Sequence, residues 1–340
     1  MSDLKFLISK LNKKFGEGSV VLAKDFKHQE VGRLSSGSLF LDKCLGRNAS
    51  KVSGWPLGRI VELYGPQMAG KSTLALKTIS EAQKKGMTCA YFDCEKSFDK
   101  DRAKVLGVNI DELLVSVEAI GEKVLEAIAE LLKTKEVEVI VVDSLASMVP
   151  QAEMDKSLED SNRMALVAQM MSQGLRKLTA LNDDTLIIFI NQLREKPGVV
   201  YGNPSYTPGG KALGFYASVR VELRAGDWIL EDKRKIGNVV KFNITKNKTA
   251  TPHQTGYYKF LYSGEIDKAD ELISIGLLNA TIKQKGAYFY IDEEAFRGRE
   301  ELEEGLKKDA ILFEKVRKVV FENDGAAFAA DAENEVEEIA

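Results

Sequence analysis

The amino-acid sequence predicts an α/β fold in which helices cover both faces of a mostly parallel central sheet. Between residues 59 and 192, near-continuous apolar stretches alternate with helical ones, as expected for buried parallel strands joined by helices. A glycine-rich motif follows the first of these apolar stretches and opens a helix. The chain has 340 residues, of which 44% are hydrophobic and 29% are charged, so it can bury a sizeable core.

The composition argues against several classes of protein. Lysine and arginine number 48 against 51 acidic residues, so any nucleic-acid-binding surface must be local. The three cysteines and two histidines show no zinc-ligand spacing and indicate no disulfide framework. No apolar run approaches the 18 residues of a membrane span, and the first residues lack a signal-peptide core. We therefore expect a cytoplasmic protein with no membrane partner.

The first 33 residues predict an isolated helix followed by a short strand. Residues 3–15 place apolar side chains at helical spacing, and a glycine break at 16–18 precedes an apolar stretch at 19–23. These two elements must pack somewhere. The pattern by itself does not decide between the core of the same chain and a neighbouring subunit.

The middle of the chain carries most of the predicted elements. The predicted strands are 59–65, 88–95, 113–119, 137–144 and 185–192, and the predicted helices are 71–85, 120–133 and 160–180. Residues 194–211 hold three prolines and four glycines, which neither a helix nor a central strand tolerates, so they predict a functional or disordered loop. Strands of antiparallel character are predicted at 217–225, 238–247 and 257–263.

A smaller region begins at about residue 264. It has helical patterns near 266–276 and 300–322 on either side of a strand at 287–291. The last stretch, 319–340, has seven acidic residues and no lysine or arginine. Such a composition predicts a disordered acidic tail.

The glycine-rich motif is the strongest chemical signal. Residues 65–73 read GPQMAGKST, which matches the phosphate-binding pattern GxxxxGK[ST] between a strand and a helix. Backbone N–H groups of the loop and the helix N-terminus would hold the phosphates. Lys71 would reach the β- and γ-phosphates of ATP, and Ser72 would ligate Mg²⁺.

Polar side chains end three further predicted strands. Asp143 ends the strand at 137–144, where an acid that holds Mg²⁺ is expected, although it could instead cap a helix. Glu95 follows the strand at 88–95 and could orient or deprotonate water, or be a surface carboxylate. Asn191 and Gln192 precede the 194–211 loop, so an amide there could sense the γ-phosphate and signal to the loop.

These residues belong to a longer series of motifs that resembles the RecA recombinases. The matching stretches lie in family order over roughly residues 13–255: FGEGSVVLA, SSGSLFLDKCLG, GRIVELYGPQMAGKST, DCEKSFD, VIVVDSLASMVPQAE, MMSQGLRKL, LIIFINQLR, GNPSYTPGGKALGFYASVR and KNKTATP. The C-terminal region is assigned by its position and by its acidic tail.

The resemblance implies a RecA-type ATPase core and a division of the chain. The implied parts are an oligomerisation helix and strand at 1–33, the core at 34–263, a small α+β domain at 264–322 and a disordered acidic tail at 323–340. It also implies a DNA-dependent ATPase that forms helical filaments on single-stranded DNA and exchanges strands with double-stranded DNA. A LexA-like repressor and loader proteins are further implied partners.

The resemblance also gives roles to residues around ATP. Glu95 corresponds to the catalytic glutamate and Gln192 to the γ-phosphate sensor. Lys246 and Lys248 correspond to lysines that reach ATP across the subunit interface, and Phe215 to an interface residue that relays the ATP state. The implied nucleotide contacts are Gly65, Pro66, Gln67, Met68, Ala69, Gly70, Lys71, Ser72, Thr73, Asp99, Arg102, Asp143 and Ser144, with Ser72 and Asp143 on Mg²⁺.

Two loops are implied to contact DNA, one at 156–164 and one at 194–211. Cations there would bind phosphates, and tyrosine faces would contact bases. The implied DNA contacts are Met164, Arg176, Lys177, Arg194, Lys196, Pro197, Gly198, Val200, Tyr201, Gly209, Gly210 and Lys211.

The chain departs from the family pattern at several places. Residues 67–69 read QMA where glutamate and two serines are usual, and Arg102 stands where many members have a tyrosine that stacks on adenine. Pro197 replaces an aliphatic residue that many members insert between bases, and residues 47–54 hold about five extra positions. Two alternatives to a recombinase remain at this point: a hexameric helicase-like motor and a non-catalytic DNA-bridging relative.

Overall fold

The computed structural model describes residues 2–25, 30–154, 163–195 and 205–322. The chain divides into two compact units, residues 1–31 and residues 32–340. In the described ranges the helices are α1 (Ser2–Phe15), α2 (Leu39–Leu45), α3 (Lys71–Gln83), α4 (Lys100–Val105), α5 (Gly121–Thr134), α6 (Gln151–Met154), α7 (Arg163–Leu181), α8 (Ala212–Tyr216), α9 (Lys268–Leu278), α10 (Arg299–Lys308) and α11 (Ala310–Glu322).

The described ranges also contain fifteen strands and three short 3₁₀ helices. The strands are β1 (Arg33–Leu34), β2 (Trp55–Pro56), β3 (Ile60–Gly65), β4 (Cys89–Asp93), β5 (Leu113–Ser116), β6 (Val139–Asp143), β7 (Leu186–Gln192), β8 (Arg194–Glu195), β9 (Ser205–Tyr206), β10 (Val219–Glu231), β11 (Arg234–Asn247), β12 (Gln254–Leu261), β13 (Ile282–Lys285), β14 (Tyr288–Ile291) and β15 (Glu294–Arg297). None of the helices in the described ranges has the length and apolar character that crossing a bilayer requires.

In the N-terminal unit the predicted helix is confirmed as α1, but the strand predicted at 19–23 is wrong. Only a 3₁₀ turn at Ala23–Asp25 forms in this part of the unit. The Asn12 side-chain amide accepts from the Val20 N–H at 2.8 Å and donates to the Val20 carbonyl at 3.0 Å. Asn12 therefore occupies the backbone groups of Val20 that a paired strand would use.

An eight-stranded sheet forms the centre of the second unit. Its strand order is β12-β11-β10-β3-β7-β6-β4-β5. The six strands from β10 to β5 run parallel, whereas β11 is antiparallel to both of its neighbours. The predicted α/β class with a mostly parallel sheet is therefore confirmed.

Helices cover both faces of this sheet. Along β6, Val139 and Val141 pack into one apolar cluster with α3, and Ile140 and Val142 pack into a second cluster with α5 and α7. Successive residues of a strand point to opposite faces, so this alternation shows that both faces are buried. Strands buried on both faces need apolar residues at every position, which explains their unbroken apolar sequences.

The hairpin of β10 and β11 extends further than the sequence predicted. Its turn consists of Asp232 and Lys233, both with left-handed backbone conformations at φ 48° and 65°. Two consecutive left-handed residues match the twist of a two-residue hairpin, and glycine or asparagine usually signals such a turn. Neither glycine nor asparagine stands here, and Asp232 by itself is a weaker turn signal. The predicted strands therefore stop about six and four residues short of the turn.

The C-terminal elements also differ in detail from the prediction. The single helix expected at 300–322 is two helices, since Asp309 separates α10 from α11 and accepts from the N–H groups of Ile311 and Leu312. Residues 319–322 belong to α11 and are not part of a tail. Residues 323–340 lie outside the described residues, and the domain borders at 33, 263 and 322 stay predictions.

A buried carboxylate joins the C-terminal region to α2. Glu271 of α9 is fully buried and accepts from the Ser38 hydroxyl and from the N–H groups of Leu39 and Phe40, at 3.0 and 3.2 Å. It thereby satisfies donors at the N-terminus of α2 that have no partner within that helix. Apolar residues of α9, α10 and α11 join the same core cluster as α3.

We expect Glu271→Ala to lower the free energy of unfolding by about 3 kcal/mol or more, because three buried donors lose their acceptor. Urea unfolding would measure the change. The control is Glu314→Ala, which removes only an exposed pair with Arg317 and should cost less than about 1 kcal/mol. Equal midpoints for the two variants would contradict the capping role.

Candidate nucleotide and DNA site

The loop between β3 and α3 has the backbone of an anion-binding site. Gly70, directly before α3, is left-handed at φ 88°, and Gly65 lies so close to β10 that a Cβ would stand 2.1 Å from the Leu223 carbonyl oxygen. Met68 is left-handed as well, at φ 60°, and is 92% exposed. The loop runs directly into the N-terminus of α3, where backbone N–H groups and the helix dipole stabilise an anion.

Lys71 lies buried in the first turn of α3. Its ammonium group donates to the carbonyl oxygens of Gly65 at 3.1 Å and of Pro66 at 2.5 Å. Burial lowers the pKa of Lys71, while the nearby carboxylates of Asp143 and Glu95 act in the opposite direction. The cation is thus held inside the loop by carbonyl oxygens that a phosphate can replace.

Asp143, the last residue of β6, is buried beside the first turn of α3. It accepts from the Tyr91 hydroxyl at 2.6 Å and from the Ser72 hydroxyl. Burial raises the pKa of Asp143, and these hydrogen bonds partly offset that effect. A carboxylate next to a serine hydroxyl is a donor set that suits Mg²⁺, which usually takes one or two protein oxygens and completes its shell with phosphates and water.

Glu95 links the ends of three strands. It lies two residues beyond β4, accepts from the Ser144 hydroxyl after β6 at 2.5 Å, and accepts from the Gln192 amide at the end of β7 at 2.9 Å. Within the described residues both hydrogen bonds fall on Oε1, which leaves Oε2 able to accept from a water molecule. The peptide bond between Asp143 and Ser144 is cis.

A buried polar chain connects Gln192 to the rest of the unit. The Asn191 amide donates to Glu62 at 3.0 Å and to the Pro208 carbonyl at 3.1 Å, and Arg220 donates to the same Glu62 carboxylate at 2.5 Å. Glu62 and Arg220 were not among the predicted site residues. The available signal was Glu62, the one charged residue in the otherwise apolar β3, whereas Arg220 is one of several charged residues in β10.

The two lysines expected to act across an interface lie at the other end of the sheet. Lys246 donates to the carbonyls of Gly214 and Phe215 at 2.7 and 3.0 Å, so it caps the end of α8. The Lys248 N–H donates to the Ser218 carbonyl, and the Ser218 N–H donates to the Ile60 carbonyl. Lys248 therefore lies level with the start of β3, whereas the phosphate loop begins at its end.

Phe215 forms an exposed surface with these lysines. Its side chain is 72% exposed, and the Lys248 ammonium lies 5.9 Å from the centre of its ring. An exposed large aromatic side chain is a feature of protein interfaces.

A cavity of about 470 Å³ adjoins the phosphate loop. Its walls include Thr73 of α3, Trp228 of β10 and Arg102 of α4. Asp99, another of the implied nucleotide contacts, serves as the N-cap of α4 and accepts from the N–H groups of Asp101 and Arg102. The structure thus brings Arg102, but not Asp99, into the wall of the cavity.

Within the second predicted DNA loop, at 194–211, β8 and β9 form a short antiparallel pairing. Arg194 and Gly209 line a cavity of about 780 Å³ together with Leu145. Gly209 is left-handed at φ 90°, and a Cβ on it would lie 2.6 Å from the Leu145 side chain, so glycine is required there. Gly210 lies in the same wall, and Lys211 is exposed at the start of α8.

Other predicted DNA contacts are not brought to this cavity. Arg176 is exposed on α7, and Lys177 beside it pairs with Glu126 at 2.6 Å. Both lie more than two helical turns beyond Val167, which lines the cavity. Met164 stands in the first turn of α7. The predicted contacts Lys196, Pro197, Gly198, Val200 and Tyr201, and residues 156–162 of the first loop, lie outside the described residues.

Comparisons with known proteins agree on one family. A family model described as the RecA N-terminal domain matches residues 2–267. Protein RecA of Nitrobacter winogradskyi is 41% identical over 326 residues, which cover 95% of this chain and 88% of the relative. Protein RecA of Chloroherpeton thalassium is 42% identical over 93% of this chain and 88% of the relative, and that of Bacillus licheniformis is 40% identical over 98% and 97%. Since the relatives match almost from end to end, the chain belongs to the RecA family of recombinases, which are DNA-dependent ATPases.

Proposed function

We propose that this recombinase assembles into helical filaments on single-stranded DNA and, with ATP bound, pairs that strand with homologous double-stranded DNA and exchanges the strands. One observation carries the proposal. Lys71, Glu95, Asp143 and Gln192 stand at the carboxyl ends of four adjacent strands, and Glu95 and Gln192 are already joined at 2.9 Å. Ligands bind at this edge of parallel sheets.

In the proposed reaction, ATP lies with its phosphates on the loop at 65–73. The Lys71 ammonium leaves the carbonyls of Gly65 and Pro66 and moves to the β- and γ-phosphates. Glu95 accepts a proton from the attacking water, while the Ser144 hydroxyl holds its carboxylate in place. Gln192 also donates to the γ-phosphate when ATP is present, and this contact competes with its hydrogen bond to Glu95.

Ser72 and Asp143 are the residues that would hold Mg²⁺. The Ser72 hydroxyl interacts with the Asp143 carboxylate, so the two groups are close enough to contact one ion. The described residues contain no group of three or more acidic, cysteine or histidine side chains that could hold a metal ion, which is compatible with an ion completed by phosphates. When bound, the ion would neutralise charge on the phosphates.

The state of ATP would reach the DNA loop through the buried chain behind Gln192. Asn191 donates both to Glu62 and to the carbonyl of Pro208, which lies at the end of the 194–211 loop. A shift of Gln192 toward a phosphate therefore pulls on a residue that also holds the loop. We propose that Arg194, Gly209, Gly210 and Lys211 bind DNA at this loop.

Lys246 and Lys248 would serve a neighbouring subunit. Lys248 lies level with Ile60, which is five residues before Gly65 in β3. Five strand residues span about 16 Å, which is too far for the Lys248 side chain to reach the phosphate loop of its own chain. A cation that enters from a neighbour stabilises the phosphate charge only after assembly. This arrangement would make hydrolysis depend on the filament.

Two apolar surfaces support assembly through the N-terminal unit. In α1, Phe6 and Phe15 are exposed, as are Leu4 and Leu7. In the second unit, β5 is the last strand of the sheet and exposes Leu114 and Val115, with Val117 just beyond it. We propose that residues 1–33 of one copy cover this sheet edge of the next.

The family by itself suggests further partners, namely a LexA-like repressor and loader proteins, and these stay part of the proposal. A hexameric helicase-like motor is not favoured, because the matches are to RecA. Electron microscopy of the full chain with single-stranded DNA and ATP tests the proposal together with a DNA-stimulated ATPase assay. Open filaments and stimulated hydrolysis are expected. Closed rings, or hydrolysis independent of DNA, would refute it.

Mixing two inactive variants should restore turnover if Lys248 acts across the interface. Lys71→Ala subunits keep a working Lys248, and Lys248→Ala subunits keep a working phosphate loop. With random assembly of equal amounts, about a quarter of the interfaces combine both intact parts, so about a quarter of wild-type turnover is expected. Steady-state ATPase measurement on single-stranded DNA would show it.

In the control experiment, Lys71→Ala subunits are mixed with Lys233→Ala subunits. Lys233 is an exposed lysine in the β10–β11 turn. The Lys233→Ala variant should be active by itself. Full activity of Lys248→Ala alone, with no gain on mixing, would mean that Lys248 has no role in hydrolysis.

A further inference from the structure

The cavity beside the phosphate loop continues past the residues used above. From Lys71 and Thr73 at the start of α3 it extends over the outer strands β10, β11 and β12. A nucleotide with its phosphates on the loop has its base on this side. The far wall contains Arg102, Trp228 and Asn238, and the hydrolysis mechanism gives no role to any of them.

The indole of Trp228 lines that cavity. Trp228 follows a register irregularity in β10, pairs with Asn238 of β11 and is 50% exposed. The Lys235 ammonium lies 4.0 Å from the ring centroid and so covers part of the indole. A half-exposed indole beside an open space can stack on a base.

Arg102 supplies hydrogen-bond donors at the same end. Its guanidinium lies 5.3 Å from the centre of the Phe260 ring and donates to the Tyr262 carbonyl at 3.1 Å, so its position is fixed by β12. A guanidinium has five donors and no acceptor. Guanine presents two adjacent acceptors, O6 and N7, whereas adenine presents N7 beside a donating amino group. Arginine therefore complements guanine better than adenine on this edge.

We infer that Arg102 and Trp228 form the base-binding end of the nucleotide pocket and that the pocket accepts guanine nucleotides as well as adenine nucleotides. The indole stacks on the purine, and the guanidinium donates to its acceptor edge. This inference rests on the proposed nucleotide site and adds the choice of base to it.

Intrinsic fluorescence tests the stacking contact. The chain has two tryptophans, and Trp55 is fully buried and hydrogen-bonded to Thr78, so the half-exposed Trp228 reports on the cavity. Titration of the full chain with ADP or GDP, each with Mg²⁺ and without DNA, should change the emission. The change should vanish in Trp228→Phe. By calorimetry, Trp228→Ala should bind both nucleotides roughly tenfold more weakly.

Base selection tests the guanidinium. In the wild-type chain the dissociation constants of GDP and ADP should lie within about tenfold of each other. Glutamine can pair with both N6 and N7 of adenine, so Arg102→Gln should raise the ratio of the GDP to the ADP constant by roughly tenfold. The matched control is Arg297→Gln, on the exposed β15, which should leave the ratio unchanged.

These measurements distinguish a failure of the base-binding inference from a failure of the proposed ATP site. Suppose that ADP binds in a Lys71-dependent manner. The inference is then wrong, and the nucleotide site stands, if Trp228 emission does not respond to the nucleotide. The same holds if GDP binds over a hundredfold more weakly than ADP and Arg102→Gln does not change that ratio. If neither nucleotide binds in a Lys71-dependent manner, the proposed ATP site itself fails.

Discussion

Lys71→Ala is expected to lose ATP hydrolysis by roughly a thousandfold, because the transferring phosphate loses its main protein cation. In the structure the Lys71 ammonium is held by the carbonyls of Gly65 and Pro66, inside the loop that would hold the phosphates. Alanine there leaves two carbonyl oxygens beside the cavity, where water can satisfy them. The fold should therefore survive, and the loss should be one of nucleotide binding and turnover.

The measurement is the steady-state ATPase rate on single-stranded DNA, combined with calorimetric titration of ADP. The control is Lys84→Ala, just past the end of α3, where the exposed lysine pairs with Glu81. That control should hydrolyse ATP at the wild-type rate. If Lys71→Ala did so too, the loop at 65–73 would not be the hydrolytic site.

Much of the core followed from the sequence for a simple reason. A strand buried on both faces needs apolar residues at nearly every position, so β3, β6 and β7 could be recognised from short windows of the chain. The phosphate loop was recognisable because the whole motif lies within residues 65–73, and Gly70 takes a left-handed conformation that favours glycine. The contact of Gly65 with the distant Leu223 carbonyl explains that glycine only once the fold is known.

Features that depend on distant partners were not predictable. Glu62 and Arg220 form a partly buried ion pair across 158 positions, and no local pattern shows that β3 and β10 are neighbours. The strand expected at 19–23 fails for a related reason, since an apolar stretch becomes a strand only when another strand pairs with it. In this chain the Asn12 side chain takes the backbone groups of Val20 instead.

The candidate site was predicted in part. Glu95, Asp143 and Gln192 were each expected from their places after strands, and the structure brings Glu95 and Gln192 into hydrogen-bond contact at 2.9 Å. Their roles in catalysis stay predictions. The wall of the base cavity was not foreseen beyond Arg102, because Trp228 reaches it only through the unexpectedly long hairpin of β10 and β11.

Glu95→Gln should separate binding from chemistry. We expect the rate of ATP hydrolysis to fall by about a hundredfold to ten-thousandfold, the usual contribution of a general base. Glutamine has the same size, and its carbonyl oxygen can still accept from the Ser144 hydroxyl and the Gln192 amide, as Oε1 does now. The side chain should therefore stay in place while its ability to take a proton is lost.

This variant should bind ATP and single-stranded DNA with unchanged affinity, and its filaments should last longer because release follows hydrolysis. Fluorescence anisotropy of labelled DNA, in parallel with the ATPase rate, gives both readouts. Glu130→Gln, which alters an exposed carboxylate on α5 paired with Lys133, is the matched control and should behave as the wild type. A purely structural Glu95 would give a variant with weakened DNA binding and a lowered unfolding temperature, whereas a general base gives slow turnover with both unchanged.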